Sequence, residues 1–146
     1  MLVVMIRFVS MARVLRKASA NDVHAPDAYV DRALEAMKAD PARPWTVAAL
    51  SRVAGLSRAP FARRFHRATG TSPLRWLTEH RLGLAQARLV ESDLALSAIA
   101  AEIGYASDFA FSKAFRRLVG VAPGVFRRAA VTRRAPSAAP LFRAAA

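Results

Sequence analysis

The chain has 146 residues, 54% of them hydrophobic, with 23 Lys and Arg against 10 Asp and Glu and a formal net charge of +13. The length suits one domain with tails, no apolar run is long enough to span a bilayer, and the charge favours a polyanionic partner whose counterions are released on binding. The absence of Cys removes disulfides, thiolate catalysis and Cys-ligated zinc together.

Met1 to Ala20 is apolar and basic, with Arg7, Arg13, Arg16 and Lys17 and no acid before Asp22. Its apolar run, Leu2 to Ile6, is short, is interrupted by Arg7 and follows no basic residue, which fits a secretory signal poorly. An Arg-rich transit-like or membrane-surface helix is one reading, and a linker helix is the favoured one. Residues 1–26 are therefore expected to be a linker segment ahead of the domain, with Asn21 to Pro26 as a polar hinge.

Asp27 to Ala39 reads as the first helix of the domain, with Val30, Leu34 and Met37 inward at i, i+4, i+7. Asp27, Asp31 and Glu35 form an acidic face that phosphate would repel. Asp40-Pro41 and Pro44 end this helix. Thr46 caps Val47 to Ala54, which buries Val47, Leu50 and either Val53 or Ala54, and Gly55 makes a turn. Ser57 to Thr69 is the first candidate recognition helix, with Phe61, Phe65 and Ala68 inward. Pro60 is tolerated in its first turn, and Gly70 stops it.

Ser72-Pro73 opens a long helix to Ser92, with Leu74, Leu77, Leu82, Ala85 and Leu89 as its core stripe. About twenty residues at ~1.5 Å each span roughly 30 Å. That is close to the ~34 Å separating major-groove faces one DNA turn apart.

Ile99 to Pro123 then repeats what came before. A short apolar helix carrying Ile99, Ala100 and Ile103 breaks at Gly104 and restarts at Ser107, an N-cap residue. Its second helix turns Phe111, Phe115 and Leu118 to one face and Ala110, Lys113 and Arg117 to the other, with Arg116 beside them. Ser57, Phe61, Arg63, Phe65, Gly70, Pro73 and Trp76 recur as Ser107, Phe111, Lys113, Phe115, Gly120, Pro123 and Phe126. One supersecondary unit used twice explains this, and helix, glycine turn, basic helix is the helix-turn-helix arrangement. Residues 130–146, rich in Ala, Pro and Arg, are expected to be a mobile basic tail.

Gly104-Tyr105, Ser107, Phe111-Ser112-Lys113, Phe115 and Val121-Ala122-Pro123 with Phe126-Arg127 resemble the signature of the AraC/XylS transcription regulators. The resemblance runs from about Asp27 to Arg128. It implies a seven-helix, two-lobed domain over residues 27–129 that binds double-stranded DNA and recruits or blocks RNA polymerase at promoters in the bacterial cytoplasm and nucleoid. The missing Cys argues against the alkyl-accepting repair proteins of similar fold. Pro44-Trp45-Thr46-Val47-Ala48 looks like members with a cupin-type sensor upstream. With about 26 residues ahead of the domain, no small-molecule effector site is expected in this chain.

In the first unit Arg58, Ala59, Ala62, Arg63 and Arg67 fall on the outward face or leading turn. The resemblance places Ala59, Ala62 and Arg63 at base-facing positions, where Arg can bridge guanine O6 and N7 and Ala can touch a thymine methyl. Arg64 holds either phosphate or an intramolecular acid. In the second unit the resemblance makes Asp108, Phe109, Ala110 and Lys113 groove-facing. Asp108 must cap the helix, the favoured role, or accept from cytosine N4; Phe109 stacks on a sugar or packs internally. Lys113, Arg116 and Arg117 supply charge.

His24, His66 and His80 lack metal-ligand spacing. No Gly-rich phosphate loop, paired-carboxylate site or nucleophile elbow is present, so neither enzyme activity, cofactor nor metal is expected. Trp45 and Trp76 are assigned to the core. The expectation is an all-α, sequence-specific DNA reader of two tandem helix-turn-helix units joined by a long connecting helix. A nonspecific basic architectural protein and a regulator fragment needing a partner are the alternatives.

Overall fold

A computed structural model describes residues 27–134. Among these residues there are seven α-helices and no strand: α1 Ala28–Ala39, α2 Val47–Ala54, α3 Arg58–Thr69, α4 Pro73–Glu91, α5 Leu96–Glu102, α6 Asp108–Val119 and α7 Pro123–Arg134. The readings of residues 1–26, including His24, and of residues 135–146 lie outside the described residues. The final helix runs to Arg134, past the boundary expected at residue 129.

Each start and stop has a local chemical cause. The Asp27 carboxylate caps α1, accepting from the amides of Tyr29 at 3.1 Å and Val30 at 3.4 Å. Asp27 therefore stands outside the helix rather than being its first residue. Thr46 Oγ1 caps α2 through the Ala49 amide at 3.1 Å. Ser57 and Ser72 occupy N-cap positions in extended conformation but make no side-chain cap bond. Gly55, Gly70, Gly104 and Gly120 all take positive φ, between 76° and 94°, a conformation in which a Cβ would be strained. Pro73 occupies the first turn of α4, where its missing amide costs nothing.

The helices surround two cores. The first buries Val30, Ala33, Met37, Trp45, Leu50, Ala54, Phe61, Phe65 and Leu77. The second buries Leu82, Ala85, Leu89, Ile99, Ala100, Ile103, Phe111 and Phe115. Fully burying one such Leu, Ile or Phe stabilises the fold by about 1.5–3 kcal/mol. The aromatic pair is built alike in both units: Phe61 and Phe65 lie 5.7 Å apart, Phe111 and Phe115 5.6 Å. α4 contributes Leu77 to the first core and Leu82, Ala85 and Leu89 to the second, so one helix serves both.

Several expected core positions are displaced by one residue. Ala68 is exposed, and Leu118 is 37% exposed. The inward stripes of α3 and α6 follow i+4 steps, 61–65–69 and 111–115–119; Thr69 and Val119 are the partly buried members. Ala54 is fully buried and Val53 is 40% exposed, which settles that pair. Leu74 is 40% exposed because Pro73 and Leu77 take the inward direction at the start of α4. On α1 Ala33 is buried together with Val30 and Met37, and Leu34 packs at the edge. Trp45 is buried and donates from Nε1 to the Asp40 carbonyl at 2.8 Å. Trp76 is half-buried and stacks on His80 with ring centroids 5.0 Å apart.

Phe115→Ala should therefore cost about 3–5 kcal/mol in urea unfolding, as a large side chain lost from a closed core; Leu118→Ala should cost less than half as much. Burial, with Lys38 adding to it, lowers the His80 pKa from 6.5. A folded-state value below the unfolded one means stability is complete above about pH 6.5 and is lost as pH falls through the folded value. Unfolding free energy should accordingly fall as pH drops below about 6.5, and His80→Gln should flatten that dependence.

Candidate nucleic-acid interface

The outward faces of α3 and α6 follow from the inward ones. With Phe61 and Phe65 fixed in the first core, Arg58, Ala59, Arg63, His66 and Arg67 are exposed and Ala62 is half-buried among them. Ala62, Arg63, His66 and Arg67 line one shallow, open depression along α3. Arg58 and Ala59 stand in the first turn, ahead of it. His66, which the sequence places on the recognition helix toward phosphate or solvent, stands exposed one turn from Ala62 and Arg63.

The charges on α3 are mostly free of protein partners. Arg64 is the exception: Nη1 lies 3.3 Å from Asp27 Oδ2, and the guanidinium sits 5.1 Å from the Tyr29 ring centre. Of its two expected roles, Arg64 takes the intramolecular acid. The ion pairs among the described residues are Lys38–Glu35, Arg64–Asp27, Arg75–Glu79 and Arg88–Glu102. Arg58, Arg63 and Arg67 take part in none of them, and α3 carries no acidic residue. An anion approaching α3 therefore meets no competing carboxylate on the helix itself.

The second unit has the same frame and a different surface. Asp108, Phe109, Lys113, Arg116 and Arg117 are exposed, and Ala110 is half-buried. The N-cap of α6 is Ser107, whose Oγ accepts from the Ala110 amide at 3.1 Å. Asp108 is the first helical residue and makes no cap bond, which corrects the capping role expected for it. Its carboxylate instead sits at the positive end of the helix dipole. Phe109 is 76% exposed, so internal packing is excluded. Lys113, Arg116 and Arg117 take part in none of the four ion pairs of the described residues.

Sequence reasoning passed over Arg81. It lies on α4 at i+4 from Leu77 and i−4 from Ala85, so it interrupts a core stripe. Its Nε donates to the Pro41 carbonyl at 2.6 Å and its Nη2 to the Arg43 carbonyl at 2.8 Å. A charged residue on an apolar helix face was the available signal. Among the described residues, no group of His, Cys, Asp and Glu is placed to hold a metal, and no helix is long and apolar enough to cross a membrane.

Residues 50–129 match the family of helix-turn-helix domains. A Streptomyces lividans protein named as an AraC-like transcription regulator is 43% identical over 102 residues, covering 70% of this chain and 34% of that protein. RclR of Escherichia coli K12, an RCS-specific HTH-type transcriptional activator, is 42% identical over 87 residues, covering 60% of this chain and 31% of its own. The chain thus spans about a third of the length of these relatives. Among solved structures, the DNA-binding domain of AdpA in complex with a target DNA is similar, with a TM-score of 0.69 and 32% identity, covering 72% of this chain and 95% of that one. An AraC-type regulator from Chromobacterium violaceum gives a TM-score of 0.65 at 25% identity, covering 75% of this chain and 94% of that one.

The two N-caps give the units different sensitivities. Ser107→Ala removes a cap bond and should cost about 1 kcal/mol in thermal unfolding. Ser57→Ala removes no such bond and should shift the transition less.

Proposed function

The chain belongs to the AraC-type helix-turn-helix family of DNA-binding transcription regulators, and on that premise we propose that it reads two adjacent major-groove segments of double-stranded DNA with α3 and α6. The observation that carries this reading is the exposed face of α3, where Arg58, Arg63 and Arg67 stand without ion-pair partners. α4 adds a second support: its 19 residues at ~1.5 Å each give roughly 28 Å, near the ~34 Å between groove faces one turn apart.

In this reading Arg63 forks onto guanine O6 and N7, Ala59 and Ala62 meet thymine methyls, and Arg58 and Arg67 hold phosphates. Lys113 and Arg117 grip the backbone along α6. Asp108 accepts from cytosine N4, with the helix dipole offsetting its repulsion by phosphate. Ala110 offers a small surface that lets α6 approach, and Phe109 lays its ring against a sugar or a thymine methyl. The domain doing this spans residues 27–129 together with the rest of α7. The names of its relatives, transcription regulators and an activator, support a role in transcription; in this reading the chain acts at promoters in the cytoplasm, with RNA polymerase as the protein that receives the signal. The biochemical role is binding rather than catalysis.

Two substitutions test the assignment on one duplex and its single-base variants. Arg63→Ala should relax discrimination at one base pair by about 1–3 kcal/mol. Lys113→Ala should weaken every duplex alike and lower the slope of log affinity against log salt by about 1. If neither substitution changes affinity or base preference, the reading is wrong; if both act only through the salt slope, the protein is a nonspecific binder.

A further inference from the structure

Two recognition surfaces give bipartite specificity only if the lobes that carry them hold one relative position. The two cores meet along α4, and an open cleft lined by Pro41, Ala42, Leu84 and Ile103 separates the rest of the lobes nearby. The direct contact is narrow, and it involves the loop between α1 and α2 on one side and the α5–α6 turn on the other.

That loop is built as a fixed platform. Trp45 is buried in the first core and its indole holds the Asp40 carbonyl. Its amide holds the Arg43 carbonyl at 2.8 Å, and the Arg43 amide holds Asp40 Oδ1 at 3.2 Å. The Arg43 guanidinium lies 4.3 Å from the Trp45 ring centre, closing the loop over itself. Its backbone carbonyls at Pro41 and Arg43 are then presented outward, and Arg81 of α4 takes both. The charge of Arg81 also acts on Tyr105, just past the turn of the second lobe. Burial lowers the Arg81 pKa from its ordinary value, yet an arginine stays charged, so two carbonyls satisfy a guanidinium that is partly withdrawn from water.

The second half of the contact is Gly104. It takes φ +86°, and a Cβ added there would lie 2.6 Å from the Ala42 carbonyl oxygen and 2.8 Å from its Cα. Both atoms are backbone of the fixed loop, so neither can yield cheaply. Gly55, the corresponding turn glycine of the first unit, has φ +82°, but a Cβ there meets only the tip of the Arg32 side chain at 3.6 Å. The two turns therefore share the same backbone demand, and only the second also needs the absence of a side chain to let the other lobe in.

We propose that Arg81 and Gly104 are positioning residues that clasp the first lobe's loop to the second lobe's turn, so that the separation of two DNA half-sites becomes a determinant of specificity. The proposal rests on the bipartite DNA reading above. A rigid pair of readers gains effective concentration only at the matching half-site spacing, and a loosened pair tolerates several spacings at lower peak affinity.

The test uses the full chain and two readouts. Because the chain has no Cys, Glu35→Cys and Ser97→Cys place one spin label on an exposed site of each lobe. The distance between the labels is read without DNA. Binding is measured on duplexes carrying both half-sites at the selected spacing and at spacings changed by one or two base pairs. The doubly labelled protein with Arg81 and Gly104 intact should give one narrow distance distribution and prefer its own spacing by about tenfold or more. Arg81→Ala and Gly104→Ala should broaden the distribution and reduce that preference to about twofold, with affinity for a single half-site unchanged.

Gly55→Ala carries the backbone strain alone and should keep the narrow distribution. Arg81→Lys keeps the charge without the planar fork that reaches two carbonyls, so it should lie between the extremes; it decides the matter if either stronger variant does not fold. Retention of the narrow distribution and the spacing preference in Arg81→Ala or Arg81→Lys overturns the clasp. Equal broadening by Gly55→Ala overturns it as well. A parent protein with a narrow distance distribution but no spacing preference would instead overturn the bipartite reading and leave the clasp standing.

Discussion

α4 cannot be removed from either lobe. Leu77 closes the first core, and Leu82, Ala85 and Leu89 close the second, so the helix is buried at both ends by different neighbours. The chain between Leu77 and Leu82 passes from one core to the other within about one and a half turns. Everything that follows depends on this sharing. The aromatic pair of each helix-turn-helix unit shares its core with α4, which forms one wall of both. The wall also sets their separation, which makes the length of one helix a property of the DNA site. Arg127 strengthens the arrangement by donating from Nη2 to the Leu94 carbonyl, which ties α7 to the segment leaving α4.

The repeat was legible in the sequence because its markers are imposed by backbone physics. Gly55, Gly70, Gly104 and Gly120 occupy positive φ, where other residues are strained, so they recur wherever the turn recurs. Phe61, Phe65, Phe111 and Phe115 were legible for a second reason: an aromatic pair at i, i+4 in a basic helix has one apolar direction in which to point. The finer burial pattern was not. Both i+3 and i+4 continuations satisfy amphipathicity, and Leu118 is as apolar as Val119, so the pattern of apolar residues alone does not make the choice. Ala68 and Thr69, or Val53 and Ala54, differ by the same one-residue rotation. Arg81 was hidden for the opposite reason, since a charge on a core stripe is normally read as a flaw in the stripe rather than as a ligand for carbonyls across a domain seam.

The candidate interface is two unlike surfaces on one repeated frame. α3 presents arginines without a carboxylate among them, while α6 opens with Asp108 and an exposed Phe109 before its basic end. Repetition fixes where these side chains stand; it does not fix what they are. The inward residues are held by two closed cores, and the outward ones are free to vary without cost to folding. In the proposed reading, that separation lets one unit carry guanine-directed chemistry and the other a mixture of shape, acidity and charge. Ser107 adds a further asymmetry, because α6 has a side-chain cap where α3 has none.

Selection of bound duplexes from a random library, with the purified chain at about 150 mM salt, addresses the central claim most directly, because at that ionic strength backbone attraction alone discriminates little. Two short motifs about one helical turn apart should emerge, the α3 half carrying a guanine that depends on Arg63. A library that returns no motif, with affinity collapsing as salt rises, would contradict the account and leave a basic protein that grips DNA without reading it.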